Sequence, residues 1–168
     1  MHNPMKKTDI EALLIDPFER TVTSIRIPKH TGDSSPLQWA AMKAALRCDY
    51  LETIPLGSLS GVHQSLWLDE EGMLNKPWDE QAFFTLSTAP DQHLAGYALV
   101  CGLDGAGNIV RTSIDVARMA RHVRWLAPQA VVVPRTTVQT LDENMRPVGP
   151  KETIGGGKAT WTYQDQPR

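Results

Sequence analysis

The sequence predicts an α+β protein in which two helices pack on one face of a curved, mainly antiparallel sheet of about five or six strands. Short β-branched runs separated by turn residues recur along the chain, and two segments carry apolar residues at helical spacing. The 168 residues suit one domain, and 41% of them are hydrophobic, which is enough for one core.

Four strands are predicted in the first half of the chain, at residues 10–16, 21–28, 50–56 and 62–68. Their apolar and β-branched residues are typical of strands. The first two flank the turn sequence DPFER and form a predicted hairpin. The fourth ends at the acidic run DEEG (69–72), where a hairpin turn is predicted because Asp accepts bonds from backbone amides and Gly supplies a positive φ.

A first helix is predicted between the second and third strands, over residues 36–48. Ser35 can cap it, Pro36 suits its first position, and Gln38 completes a capping box. Small residues recur at helical spacing and predict a narrow buried stripe that lets the helix lie close to the sheet. The predicted stripe consists of Leu37, Ala41, Ala44 and Cys48.

The second half of the core contains a predicted buried strand over 97–102, followed by the glycine-rich turn DGAGN (104–108). A second helix is predicted over 113–126, since Thr112 can cap it and Pro128 stops it. Its spacing predicts that Val116, Ala120 and Val123 are buried.

Three regions follow from this pattern. Residues 1–8 form a predicted flexible N-terminal segment, 9–127 a predicted α+β core domain, and 128–168 a predicted C-terminal hairpin extension and tail. The extension has strand-like runs at 130–141 and 145–149, and its remaining residues are predicted to be a tail. We expect this extension to provide contacts between copies of the chain.

Bulk composition excludes some functions. The net charge is −2 and the pI about 6.2, which argues against a globally basic nucleic-acid binder and against an acidic mimic of DNA. The polar start lacks the apolar run of a secretory signal, and no window suits a membrane span. Cys48 and Cys101 lie far apart and predict reduced thiols. We therefore expect a cytoplasmic protein.

Four polar residues are weak site candidates that the sequence favours as turn or surface residues. Consecutive carboxylates in a turn point in divergent directions, so Asp69 and Glu71 do not make an acid–base pair or a metal site by themselves. His63 shares a predicted strand face with Ser65 at too long a spacing for direct contact. Asp104 opens the second turn. The sequence thus assigns no catalytic residue, metal ligand or cofactor.

Candidate partner-binding residues are cationic and aromatic. Arg118, Arg121 and His122 share one predicted helix face, which suits phosphates or an acidic partner but is equally typical of a solvated face. The candidate tryptophans lie off the predicted apolar stripes or in the tail. The full set is Arg111, Arg118, Arg121, His122, Trp39, Trp125 and Trp161.

Several segments in a fixed order carry a resemblance to a known family. They are IEALLIDPFERTVTSIRI, a helix ending in ALRCDYLETIPL, SLWLDEEGML, and LAGYALVCGLDGAGNIV. Their order of hairpin, helix, strand, D-E-E-G turn, strand and D-G-x-G turn, over residues 9–125, resembles a small family of phages and plasmids known only as a domain of unknown function. The resemblance implies a mobile-element setting and no activity or catalytic residue.

Three functional hypotheses remain open at this level. The first is a non-catalytic binding protein of a mobile genetic element, acting by protein contact or small-ligand sequestration, with a host defence system as one target and a homo-oligomer as one form. The second is an enzyme whose pocket combines dispersed residues, namely His63, Asp69, Cys48 and Arg111. The third is a nucleic-acid accessory protein that uses the arginine-rich helix.

Overall fold

The α+β class and the mainly antiparallel sheet are confirmed by the computed structural model. It describes residues 9–30, 35–58, 63–74, 76–77, 80–132, 136–138, 152–154 and 159–165. Within these ranges, no helix is long and apolar enough to cross a membrane. The predicted flexible segment 1–8 lies outside the described residues.

Twelve strands and two helices are present in the described ranges. In chain order they are β1 Asp9–Asp16, β2 Thr21–Pro28, α1 Ser35–Leu46, β3 Leu51–Ser58, β4 His63–Asp69, β5 Phe83–Leu86, β6 Ala89–Ala95, β7 Ala98–Leu103, β8 Ile109–Val110, α2 Val116–His122, β9 Val123–Val132, β10 Thr136–Val138, β11 Glu152–Ile154 and β12 Ala159–Asp165.

The central sheet has six strands in the order β2-β1-β7-β4-β3, with β8 paired to β7. The predicted β1–β2 hairpin is present, and Asp16 opposite Thr21 closes it. Strand β7 lies between the β1–β2 and β3–β4 pairs and is antiparallel to both neighbours. A second sheet has the order β12-β9-β5-β6, and β10 pairs with β11 separately.

Both faces of the central sheet are buried. Along β7, Ala98 and Val100 belong to one core cluster, whereas Leu99 and Cys101 belong to another. The first cluster also contains Phe84 from the second sheet. Since successive strand residues point to opposite faces, the second sheet covers one face of the central sheet and α1 covers the other.

The prediction that both helices pack on one face is wrong. Met42 and Leu46 of α1 join the cluster that contains Leu99, and Met119 of α2 joins the cluster that contains Val100. The sequence does not specify which face of the sheet each helix covers. That choice depends on the second sheet, which fills the space beside α2.

The buried stripe of α1 differs from the predicted one. Leu37 is 65% exposed, whereas Gln38, Met42 and Leu46 are buried. These three residues recur every four positions and form one line along the helix. Gln38, predicted to complete a capping box, donates from its side-chain Nε2 to the Pro28 carbonyl at 2.9 Å and so ties α1 to β2.

Helix α2 is shorter than predicted and buries a different residue. It ends at His122, and Val123 begins β9, where it lies opposite Leu86 of β5. Met119 is buried, whereas Ala120 is exposed. Pairing with β5 satisfies the backbone N–H and C=O groups of residues 123–126 as well as a helix would. The tertiary contact therefore overrides the local helical pattern.

The C-terminal region pairs over a longer span than predicted. Strand β9 crosses the predicted domain boundary at residue 127, and its pairing with β12 runs from Leu126 opposite Asp165 to Val132 opposite Ala159. Strands β11 and β12 lie where a tail was predicted. Residues 142–144, predicted to be the hairpin turn, lie outside the described residues.

Candidate functional site

A small pocket of about 90 Å³ lies at the end of the central sheet where β1 and β4 finish and β7 begins. We call it the ring–cation pocket. The β1–β2 turn, the end of α1, the turn after β4 and the segment before β7 contribute to it. Its lining residues are Phe18, Leu46, Arg47, Asp69, Gly72, Lys76, Gln81, Gly96 and Tyr97.

Two aromatic rings and two cations form a continuous row in this pocket. The ring centroids of Phe18 and Tyr97 are 5.1 Å apart, with 40° between the ring planes. The guanidinium carbon of Arg47 lies 4.5 Å from the Tyr97 centroid, and Nζ of Lys76 lies 4.4 Å from the Phe18 centroid. Both distances allow attraction between the cation and the ring quadrupole.

The donors of these cations are unused within the described part of the chain. There, neither the Arg47 guanidinium nor the Lys76 ammonium has a hydrogen-bond acceptor or an ion-pair partner. A guanidinium carries five N–H donors and an ammonium three. Both side chains are exposed, so within the described residues these donors are available to water or to a ligand.

Arg47 is held in place by the C-terminus of α1. Its N–H donates to the Ala44 carbonyl at 3.4 Å, and the Cys48 N–H donates to the Lys43 carbonyl at 3.1 Å, which is the Schellman pattern. Arg47 has a φ of 55°. Glycine usually occupies this left-handed position, since any other side chain is strained there.

The acidic run DEEG forms the opposite part of the rim as a turn. Asp69 Oδ1 accepts from the Glu71 N–H at 3.0 Å, and the Gly72 N–H donates to the Asp69 carbonyl at 3.0 Å. A Cβ at Gly72 would lie 3.0 Å from the Ala95 carbonyl oxygen, so this turn packs closely on β6. The turn is not a hairpin, because the next strand, β5, belongs to the second sheet.

Burial and charge around the pocket raise the pKa values of nearby groups. Burial, and then the Asp16 carboxylate, raise the pKa of Tyr97. Burial, and then the Asp69 carboxylate, raise the pKa of the Cys48 thiol to about 11. Burial alone raises the pKa of Cys101 to about 12. At neutral pH both thiols are protonated and are therefore poor nucleophiles and metal ligands.

The residues of the predicted enzyme pocket do not converge. His63 and Asp69 lie at opposite ends of β4, roughly 20 Å apart at about 3.3 Å per residue. Arg111 instead pairs with Glu11 at 2.9 Å. Within this set, Cys48 and Asp69 interact electrostatically. In the described ranges, no group of three or more His, Cys, Asp or Glu side chains is placed to hold a metal.

Asp104 organises the turn that precedes β8. Its Oδ1 accepts from the N–H groups of Ala106 and Asn108 at 2.9 and 2.8 Å, and its Oδ2 accepts from Asn108 Nδ2 at 2.9 Å. The hydrogen bonds from Asn108 are the main cause of its lowered pKa. These bonds engage both carboxylate oxygens within the turn.

The arginine-rich face is limited to two helical turns. Asp115 caps α2 by accepting from the Arg118 N–H at 2.7 Å. His122 Nδ1 and Ser87 Oγ are 2.7 Å apart, which ties the helix end to the β5–β6 turn. Arg121 is exposed. Arg111 lies before the helix and bonds to β1, so it does not extend this face.

The candidate tryptophans lie at separate places. Trp39 is 37% exposed and packs edge-to-face against Trp67, with ring centroids 5.3 Å apart. Trp125 is half-buried and packs against Phe84 in the core. Trp161 lies opposite Ala130 in the β9–β12 pairing. Trp39 and Trp125 contact different rings and do not form one aromatic surface with each other.

Sequence reasoning identified one of the five chemically important pocket residues, Asp69, and missed Phe18, Arg47, Lys76 and Tyr97. These residues come from separate segments that the central sheet brings together. Arg47 had a local signal, because an arginine occupies the position after a helix where glycine is expected. The contacts made by the Phe18 and Tyr97 rings could not be predicted from the spacing of residues in the sequence.

Comparison with protein-family models, with curated proteins and with solved structures found no match to this chain.

Proposed function

We propose that this chain is a non-catalytic binding protein that holds its partner or ligand at the ring–cation pocket. The observation that carries the proposal is the pair of cations, Arg47 and Lys76, which are stacked on neighbouring rings and lack acceptors in the described part of the chain. Exposed cationic donors beside aromatic surface are typical of recognition sites.

The chemistry of the surrounding groups favours binding over catalysis. The nearest thiol, Cys48, has a pKa of about 11 and is un-ionised at neutral pH. Asp69 accepts a bond from the backbone of its own turn. A general base close to a nucleophile, which a covalent mechanism needs, is not formed by the candidate residues.

The proposal extends to the setting of the protein. The resemblance to phage and plasmid sequences supports a mobile genetic element, and action on a host defence protein is one form of the function. The partner in this proposal is a protein of the host or element, or a small ligand, met in the cytoplasm. Oligomerisation through the C-terminal strands is a further part of it, which light scattering combined with size exclusion tests.

Retention experiments test the proposal. The tagged full chain is purified rapidly from its native host, and retained proteins and small molecules are identified by mass spectrometry. We expect a specific retained component that the double variant Arg47→Gly, Lys76→Met loses. The matched control is Arg20→Gly, Lys43→Met, which removes the same charges outside the pocket and keeps the component. Equal retention by both double variants contradicts the proposal.

A further inference from the structure

We infer that the ring–cation pocket takes a carboxylate group carried on a short apolar body. The inference rests on the proposed binding function and names the chemistry of the ligand. It follows from four properties of the pocket: its exposed cations, its apolar walls, its size, and the carboxylates around it.

The donors select an anion. A ring contact holds the Arg47 guanidinium over Tyr97 without using an N–H group in a hydrogen bond, and Lys76 is held over Phe18 in the same way. Both cations are exposed, and their hydrogen bonds are strongest to an acceptor that is itself charged. A guanidinium also matches the two oxygens of a carboxylate, because it can donate two parallel bonds.

The carboxylates around the pocket favour a singly charged anion. Asp69 lines the same pocket as the two cations. The Asp16 and Glu19 carboxylates also act electrostatically on Tyr97, so three carboxylates offset the two cations. A phosphate monoester carries about −1.5 to −2 charges at neutral pH, so this surplus of negative charge repels it more strongly than a carboxylate with one charge. The charge balance around the pocket therefore favours a carboxylate over a phosphate.

The size and walls define the rest of the ligand. A volume of about 90 Å³ is well below the roughly 300–1,000 Å³ of sites that enclose whole metabolites. It suits a carboxylate with a few attached carbons. Leu46, Phe18 and Tyr97 supply apolar contact for those carbons. Such a group is present in small aryl acids and at the C-terminus of an apolar peptide.

Titration of the ¹⁵N-labelled full chain tests the ligand class. The probes are benzoate, benzamide and inorganic phosphate at constant ionic strength, with amide shifts of Gly72 and Gly96 as the local readout. We expect benzoate to bind at least tenfold more tightly than benzamide or phosphate. Equal binding of benzoate and benzamide overturns the inference, since the amide has the same shape without the charge.

Variants with opposite expected effects locate the site. Arg47→Gly and Lys76→Met should each weaken benzoate binding tenfold or more, and Asp69→Asn should strengthen it severalfold because it removes the like charge. Arg20→Gly is the matched control, since Arg20 shares the φ of 55° and the charge but does not line the pocket. Unchanged binding in Arg47→Gly, or weaker binding in Asp69→Asn, refutes the assignment.

A peptide comparison distinguishes the two sources of the carboxylate. A short peptide ending in phenylalanine is titrated with a free and with an amidated C-terminus. Binding of the free form alone, tighter than benzoate, supports the inference and assigns the carboxylate to a peptide terminus. If neither peptide nor benzoate binds while retention still depends on Arg47, the ligand class is wrong and the proposed function stands. If retention is also independent of Arg47, both the ligand class and the proposed function are wrong.

Discussion

Arg47 and Arg20 occupy left-handed backbone positions that cost an arginine about 1 kcal/mol relative to glycine. Arg47 has an attractive contact with Tyr97, worth about 0.5–1 kcal/mol at an exposed site, whereas no such contact is present for Arg20 in the described ranges. The strain at Arg47 is therefore partly offset by the ring contact in the folded protein.

This difference gives the first stability prediction. Arg20→Gly should raise the free energy of unfolding by about 1 kcal/mol, because it only relieves strain. Arg47→Gly should change it by less than that, since it relieves the same strain but loses the ring contact. Urea unfolding of both variants measures the difference. A gain as large in Arg47→Gly as in Arg20→Gly would show that the contact contributes nothing.

Gly102 is needed for a close backbone approach between β7 and the segment after β8. A Cβ there would lie 2.5 Å from the Arg111 carbonyl oxygen. Gly102→Ala should therefore lower the free energy of unfolding by about 1–3 kcal/mol, as overpacking does. Gly105→Ala is the control, because a Cβ there meets nothing within 4 Å. Similar urea midpoints for the two variants contradict the prediction.

Cys48 should alkylate slowly at neutral pH and faster as the pH approaches about 11, its pKa in the folded protein. Burial is the main cause, and the Asp69 carboxylate is the next, so Asp69→Asn should lower the pKa and speed the reaction. Iodoacetamide labelling followed by peptide mass spectrometry measures the rate. The raised pKa stabilises the fold below pH 9.0, and this stabilisation is lost as the pH rises from 9.0 to about 11.

At the scale of elements, the sequence predicted strands better than their surroundings. The β1–β2 hairpin could be predicted because two runs rich in β-branched residues flank a turn whose Asp16 Oδ1 accepts from the Phe18 and Glu19 N–H groups at 3.0 and 3.1 Å. The end of α2 could not be predicted, because the pattern of residues 123–126 suits a helix or a strand equally. Pairing with β5 makes them a strand.

Helix α2 depends on its N-cap because it has only seven residues. Asp115→Ala removes the acceptor of the Arg118 N–H and should lower the free energy of unfolding by about 1 kcal/mol. Asp115→Asn keeps an acceptor oxygen and should recover most of that loss, although it removes the charge. Equal destabilisation by both changes would assign the effect to charge and not to the cap. Thermal unfolding compares the two variants.

At the scale of the whole molecule, the central sheet has two cores and not one. The burial of residues 97–102 could be predicted from the sequence, because a nearly continuous apolar run is typical of a strand covered on both faces. It did not specify what covers each face. The pocket could not be predicted either, since Phe18, Arg47 and Tyr97 come together only through the order of strands in the sheet.

Adjacent truncations in β7 test the two-sided arrangement. Leu99 faces α1 and Val100 faces the second sheet, and both are 0% exposed. Leu99→Ala should cost about 2–5 kcal/mol, and Val100→Ala should cost a smaller amount, in proportion to the methyl groups removed and the cavity left. Chemical unfolding measures both. A negligible loss in either variant would mean that the corresponding face is not packed.

The position of β7 between the two earlier strand pairs has a consequence for synthesis on the ribosome. Its partners β1 and β4 are made first and hold their inner edges open until Ala98–Leu103 arrives. The nascent chain thus carries two incomplete halves whose unpaired backbones are open to mispairing. Pairing of the central sheet waits for one late segment, so translational pausing before that segment should prolong the period in which these edges are open to aggregation.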